Sequence, residues 1–78
     1  PTTNINYQLK VDSKVTLKIF DILGQEITTL VNENLEAGKH TAVFNASQLS
    51  SGVYMYKLEA RGVDGSSFIS VKKMLLTK

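Results

Sequence analysis

The stretch Leu49-Ser50-Ser51-Gly52-Val53-Tyr54-Met55-Tyr56-Lys57-Leu58-Glu59-Ala60 decides how the chain folds. A turn cluster, Ser50-Ser51-Gly52, runs straight into an alternating segment. On an extended strand Tyr54, Tyr56, Leu58 and Ala60 share one face, while Val53, Met55, Lys57 and Glu59 share the other. The second face is half charged, so the tyrosine face is the one expected to be buried. Each ring removes on the order of 150–250 Å² from water, a large share of the core of so short a chain.

The same period of two continues in both directions. Upstream, His40–Asn45 reads as a strand, and the segment 46–52 as a short connection of one helical turn with Leu49 tucked inward. Downstream, Asp64-Gly65 is a hairpin signal leading into a final strand, Ser67 to Leu76. On that strand Phe68, Met74 and Leu76 share one parity and Ile69, Val71 and Leu75 the other; the Phe68 face is expected to point inward. Nearer the start, Ile5, Tyr7 and Leu9 alternate with polar residues, as do Val15, Leu17 and Ile19. The polar turn Asp12-Ser13-Lys14 predicts that these two strands form a hairpin. Gly24 closes a second tight hairpin. The strand that follows breaks its alternation at Ile27, Leu30 and Val31, which predicts a bulge or a fraying end near Thr29. The segment from Asn32 to His40 is read as a turn, with Gly38 as its breaker.

Six to seven short strands without a helix predict an all-β fold, an immunoglobulin-like antiparallel β-sandwich. Such sandwiches carry a tyrosine near the start of the sixth strand, its hydroxyl bonded back to nearby backbone, with a core cysteine two residues later. Here Tyr54 stands at the corner place and Tyr56 at the cysteine place. The chain has no cysteine, so no disulfide forms and the Tyr56 ring is expected to fill that volume. Ile5, Tyr7, Leu9, Val15, Leu17, Ile19, Ala42, Phe44, Leu49, Tyr54, Tyr56 and Leu58 are the predicted core.

The 78 residues fit one domain, residues 1–78, with a thin core. Pro1 at the start, in place of an initiator methionine, suggests a piece excised from a longer protein. No run of apolar residues is long enough for a spanning helix, and no signal peptide is present, so membrane insertion is not expected. The net charge of +2 is a small excess spread along the chain, without the basic face beside aromatics that nucleic-acid binding requires.

Catalytic chemistry finds little support. A single histidine, His40, cannot build a multi-histidine metal site, and the serines cluster in turns where their hydroxyls bond backbone. His40 is better read as a side chain at a strand end. The carboxylates flank turns or face outward, and the five glycines are isolated turn residues that form no phosphate loop. Asn45-Ala46-Ser47 matches a glycosylation sequon, a pattern common by chance. No cofactor is expected, the chain is not expected to be an enzyme, and a monomer is expected. The remaining feature is the tail, Lys72-Lys73-Met74-Leu75-Leu76-Thr77-Lys78. Its plain reading is a final strand whose solvated lysines discourage edge-to-edge pairing.

Taken together, Pro1-Thr2-Thr3 with Ile5 and Tyr7, Asp21 with Gly24, Ala37-Gly38 with His40 and Phe44, Leu49 to Tyr54, and Lys72-Lys73-Met74 resemble the C-terminal sorting domain (type A) of proteins exported by the type IX secretion system. The immunoglobulin-like domain of the flagellar hook-capping protein is similar at Ala37 to His40 and at Gly52 to Tyr54. That family usually has a tryptophan at the place of Phe44 and a longer loop after it, and the lysine-rich tail favours the sorting domain. The resemblance implies a secretion signal. An N-terminal cargo domain reaches the periplasm, the folded sorting domain is recognised there, and the cargo passes an outer-membrane translocon to the cell surface or beyond. A sortase-like peptidase commonly removes the domain. By that resemblance Lys72 to Lys78 are the recognition residues. The asparagine and linker that usually precede the domain are absent before Pro1, so the cleavage region is expected to lie outside the sequence. A passive structural or adhesive module of a multidomain extracellular protein or enzyme is the alternative.

Overall fold

A computed structural model describes residues 2–77. Six strands follow in order: β1 (Thr2–Leu9), β2 (Ser13–Asp21), β3 (Glu26–Leu35), β4 (Gly38–Asn45), β5 (Gly52–Gly62) and β6 (Ser67–Leu76). No helix occurs among the described residues. The strands make two antiparallel layers, a pair β1–β4 and a four-stranded sheet in the order β3–β2–β5–β6. The fold is an all-β, immunoglobulin-like antiparallel sandwich, and its core follows from the alternation. Ile5, Leu9, Ala42 and Phe44 from the pair meet Val15, Leu17, Ile19, Leu58 and Ala60 from the larger sheet. Val15, Leu17 and Ile19 lose all contact with solvent because β2 lies between β3 and β5.

The expected hairpin between the first two strands does not form. β1 pairs with β4 and β2 with β3 and β5, so the chain crosses from one layer to the other between Leu9 and Ser13. Crossing lets the apolar faces of β1 and β2 oppose each other, where a hairpin would set them side by side. Asp12 holds the crossing. Its Oδ1 accepts the Ala37 amide at 2.8 Å, and its carbonyl accepts the Val63 amide at 2.9 Å. One residue thereby ties the β1–β2, β3–β4 and β5–β6 connections at one end of the sandwich.

The irregularity expected near Thr29 consists of two register shifts. Leu17 opposes Val31 but Lys18 opposes Thr29, and Ile19 opposes Thr28 but Phe20 opposes Glu26, leaving Leu30 and Ile27 as extra residues. Contrary to expectation, β3 runs on to Leu35, whose side chain packs on the core, so only Glu36 and Ala37 link β3 to β4. The connection after β4 has no helical turn. It is a single turn closed by the Leu49 amide on the Ala46 carbonyl at 3.0 Å.

Two tight turns share one backbone design. In Asp21–Gln25 the Gly24 amide bonds the Asp21 carbonyl, and in Gly62–Ser66 the Gly65 amide bonds the Gly62 carbonyl. Gly24 and Gly65 both adopt positive φ, 84° and 88°, which closes a three-residue loop with a right-handed strand twist.

The core is smaller than the alternation suggests. Tyr7, Leu49, Tyr54 and Tyr56 are half-buried rather than buried. Two strands spaced about 4.8 Å apart cannot cover a sheet of four. The pair sits toward β3, which β4 approaches, so the β6 side of the inner surface is left open.

Candidate functional site

The tyrosines of β5 serve the fold. The Tyr54 hydroxyl donates to the Ser50 carbonyl at 2.8 Å, a corner bond four residues upstream. Tyr56 packs against the core, and Leu58 beside it is buried with Leu17, Ile19 and Phe44. His40 is also structural. Its ring stacks on Tyr7, its cross-strand partner, with centroids 5.6 Å apart, and its Nε2 lies 2.7 Å from the Glu36 carbonyl. Burial, followed by the nearby Glu33 carboxylate, raises the Tyr7 pKa above its ordinary value, which keeps the phenol neutral. Among the described residues no group of three or more histidine, aspartate or glutamate side chains converges on a metal position.

The tail occupies the far half of β6, at the edge of the four-stranded sheet. Its register on β5 runs without a shift from Arg61 opposite Ser67 to Gly52 opposite Leu76. Parity sends successive side chains to opposite faces, so the adjacent lysines do not form one patch. Lys72 stands opposite Tyr56 and belongs to the inner face, while Lys73 stands opposite Met55 on the outer one. Met74 and Leu76 turn inward, half-buried against the core, whereas Leu75 is 72% exposed. Thr77 is exposed beyond the strand end, and Lys78 lies outside the described residues.

Three further residues of β6 carry apolar surface that the tail reading did not include. Ile69 and Val71 are exposed on the outer face with Leu75. Phe68 has the inward parity, yet it is 56% exposed because no strand of the two-stranded layer reaches over it. Its alternation was visible in the sequence, but the missing cover was not. At the sheet's other end of β2, the Asp21–Gln25 turn presents Ile22 and Leu23 to solvent, held by Asp21 Oδ1, which accepts the Leu23 and Gln25 amides at 2.9 Å each.

No curated protein and no solved structure matches the chain significantly. The family described as a secretion system C-terminal sorting domain matches residues 1–74. The match takes in all of β1 to β5 and β6 as far as Lys72, Lys73 and Met74. A sandwich of this size with an intact tyrosine corner and a lysine-bearing edge strand, matched over nearly its whole length, belongs to that family, the C-terminal sorting signals that carry proteins through the type IX secretion system to the cell surface or the extracellular space.

Proposed function

We propose that the export machinery recognises the folded domain along β6, with Lys72 to Lys78 as the recognition residues. One observation carries this reading: β6 is a ten-residue edge strand in unbroken register, with a lysine on each face and no strand on its outer side among the described residues. An edge of this kind offers a row of backbone donors and acceptors to a receptor strand, and the side chains on its two faces set specificity. The domain works as a binding element without chemistry of its own. It stays attached to an N-terminal cargo until a sortase-like peptidase separates them, and it acts as a monomer.

A reporter bearing a signal peptide, fused ahead of residues 1–78 in a strain with the translocon, tests the assignment. Lys72→Glu with Lys73→Glu reverses the charge on both faces of the edge. Both side chains are exposed, so the double variant should stay within about 0.5 kcal/mol of the parent in stability. The expected outcome is a folded reporter that accumulates in the periplasm. Export at the parent's rate would reduce these lysines to a solvated face. Deletion of Lys72 to Lys78 is a poorer probe, because it also strips Met74 and Leu76 from the core.

A further inference from the structure

The two-stranded layer leaves a second edge open, that of β1, and the surface beside it is unlike the rest of the molecule. β1 pairs with β4 alone, in continuous register from Thr2 opposite Asn45 to Leu9 opposite Gly38. Its free edge therefore runs the length of the strand without a bulge, and among the described residues no strand covers it. Between this edge and the inner face of β6 lies a groove with Ile5, Tyr7, Tyr56 and Leu58 along its floor and Phe68 on its far wall. Toward the Asp12 end it continues past Leu9 and Ala60 to Lys10. Lys72 lines one end and Lys10 the other, and no acidic residue lines either part.

We infer that this groove takes one added strand, an extended anionic segment of a partner protein that pairs with the free edge of β1, covers Phe68, and sets carboxylates against Lys72 and Lys10. The geometry specifies the segment. A third strand beside β1 stands about 4.8 Å farther from β4, the position that the uncovered inner side of β6 faces. Its inward side chains must be apolar at every second position to meet Phe68 and the half-buried Tyr56. Carboxylates at its ends complement a groove whose only charges are the two lysines. A second copy of this chain fits poorly, because it would bring lysines of the same sign. The occupant is distinct from whatever contacts the outer edge of β6, so the inference goes beyond the export reading and is tested without export.

A blocked nine-residue peptide that alternates valine with threonine and carries a glutamate at each end, both on the valine face, is the probe. A twin with lysine ends is its control. Binding to the isolated domain at millimolar peptide is followed by amide hydrogen exchange and chemical shifts. Slowed exchange at alternate amides between Thr3 and Leu9 is expected, together with shifts at Phe68. The lysine-ended peptide should bind at least about tenfold more weakly, and Phe68→Ser should weaken the glutamate peptide by a similar factor. Phe68 is more than half exposed, so this variant should keep the parent's melting curve. Val71→Ser, on the outer face, should leave binding unchanged. Protection along β6 in place of β1, no protection of either strand, or equal binding by the two peptides would overturn the inference.

Discussion

β3 and β6 are the two edges of one sheet, and each is entered through a three-residue turn closed by a glycine at positive φ. Beyond the turns they diverge. β3 is shifted twice in register, and its Glu26 is drawn back onto the sheet by Lys18 at 3.2 Å. β4 of the other layer also approaches it. These are the devices by which an edge avoids unwanted pairing. β6 instead pairs in full register, without a bulge, and carries Ile69, Val71 and Leu75 exposed on one face and Phe68 on the other. Only its lysines discourage promiscuous pairing. The fold thus blunts one edge of the sheet and leaves the opposite one regular and apolar, the contrast on which the proposed recognition along β6 rests.

If the exposed apolar residues of β6 serve a partner, they contribute little to the fold, and this contrast can be broken most directly by truncation. Leu58 is buried at the centre of β5, between Leu17 on β2 and Ser70 on β6. Leu58→Ala should remove about 2–5 kcal/mol, enough to unfold much of a domain this small. Ile69→Ser and Val71→Ser should each shift stability by no more than about 0.5 kcal/mol. Denaturant titrations of the three variants decide the matter. Losses at Ile69 or Val71 as large as at Leu58 would mean that the outer face of β6 belongs to the structure and is not held ready for a partner.

A second contrast lies in the turns. Gly24 opens onto free space, so an added methyl there meets no atom, and only its φ of 84° opposes substitution. Gly62, at the start of the turn into β6, is crowded instead. A Cβ would stand 2.6 Å from Val11 Cγ2 and Ser66 Oγ, and 2.7 Å from Asp64 Oδ1. Gly62→Ala must displace the side chains of Val11, Asp64 and Ser66, an overpacking expected to remove about 1–3 kcal/mol. Gly24→Ala should remove about 1 kcal/mol, the strain of a methyl-bearing residue at positive φ. Equal melting temperatures for the two variants would show that the turn into β6 is as free as the turn into β3.

Much of this was legible in the residues. Period-two alternation placed β1, β2, β4, β5 and β6, Gly24 and Asp64-Gly65 marked the two tight turns, and the broken alternation at Ile27, Leu30 and Val31 marked β3 as the irregular strand. Tyr54 announced its corner bond through its position after Ser51-Gly52. What alternation cannot reveal is which strand lies beside which. It fixes the face of Leu9 and of Val15 but not whether those faces are adjacent or opposed, so the crossing at Asp12 read as a hairpin. Its decisive contact, the carboxylate on the Ala37 amide, joins residues far apart in sequence and leaves no local mark. The half-exposed Tyr56 and Phe68 have the same origin, because their cover depends on how many strands the other layer holds. Parity did contain the split of Lys72 from Lys73, since adjacent residues on a strand cannot share a face.

The smallest expected effect again concerns the turn that enters β6. Asp64 Oδ1 accepts the Ser66 hydroxyl at 2.6 Å and the Ser66 amide at 3.0 Å. The hydroxyl bond first, then the amide bond, favours the carboxylate and lowers the Asp64 pKa below its ordinary value of 3.8. With the folded pKa below the unfolded one, the unfolded chain binds more protons in the interval between them, so stability falls as the solution is acidified through it. The carboxylate's contribution is complete above about pH 4 and disappears as pH drops through the folded value. Asp64 is fully exposed, and solvent keeps the contribution small. Asp64→Asn retains a side-chain oxygen for Ser66 but removes the titration. Its melting temperature should therefore lie slightly below the parent's at neutral pH and converge with it as the pH falls below about 4. A gap that stays constant on acidification, or that widens, would show that the charge of Asp64 does not hold the turn and that the backbone bonds about Gly62 and Gly65 close it unaided.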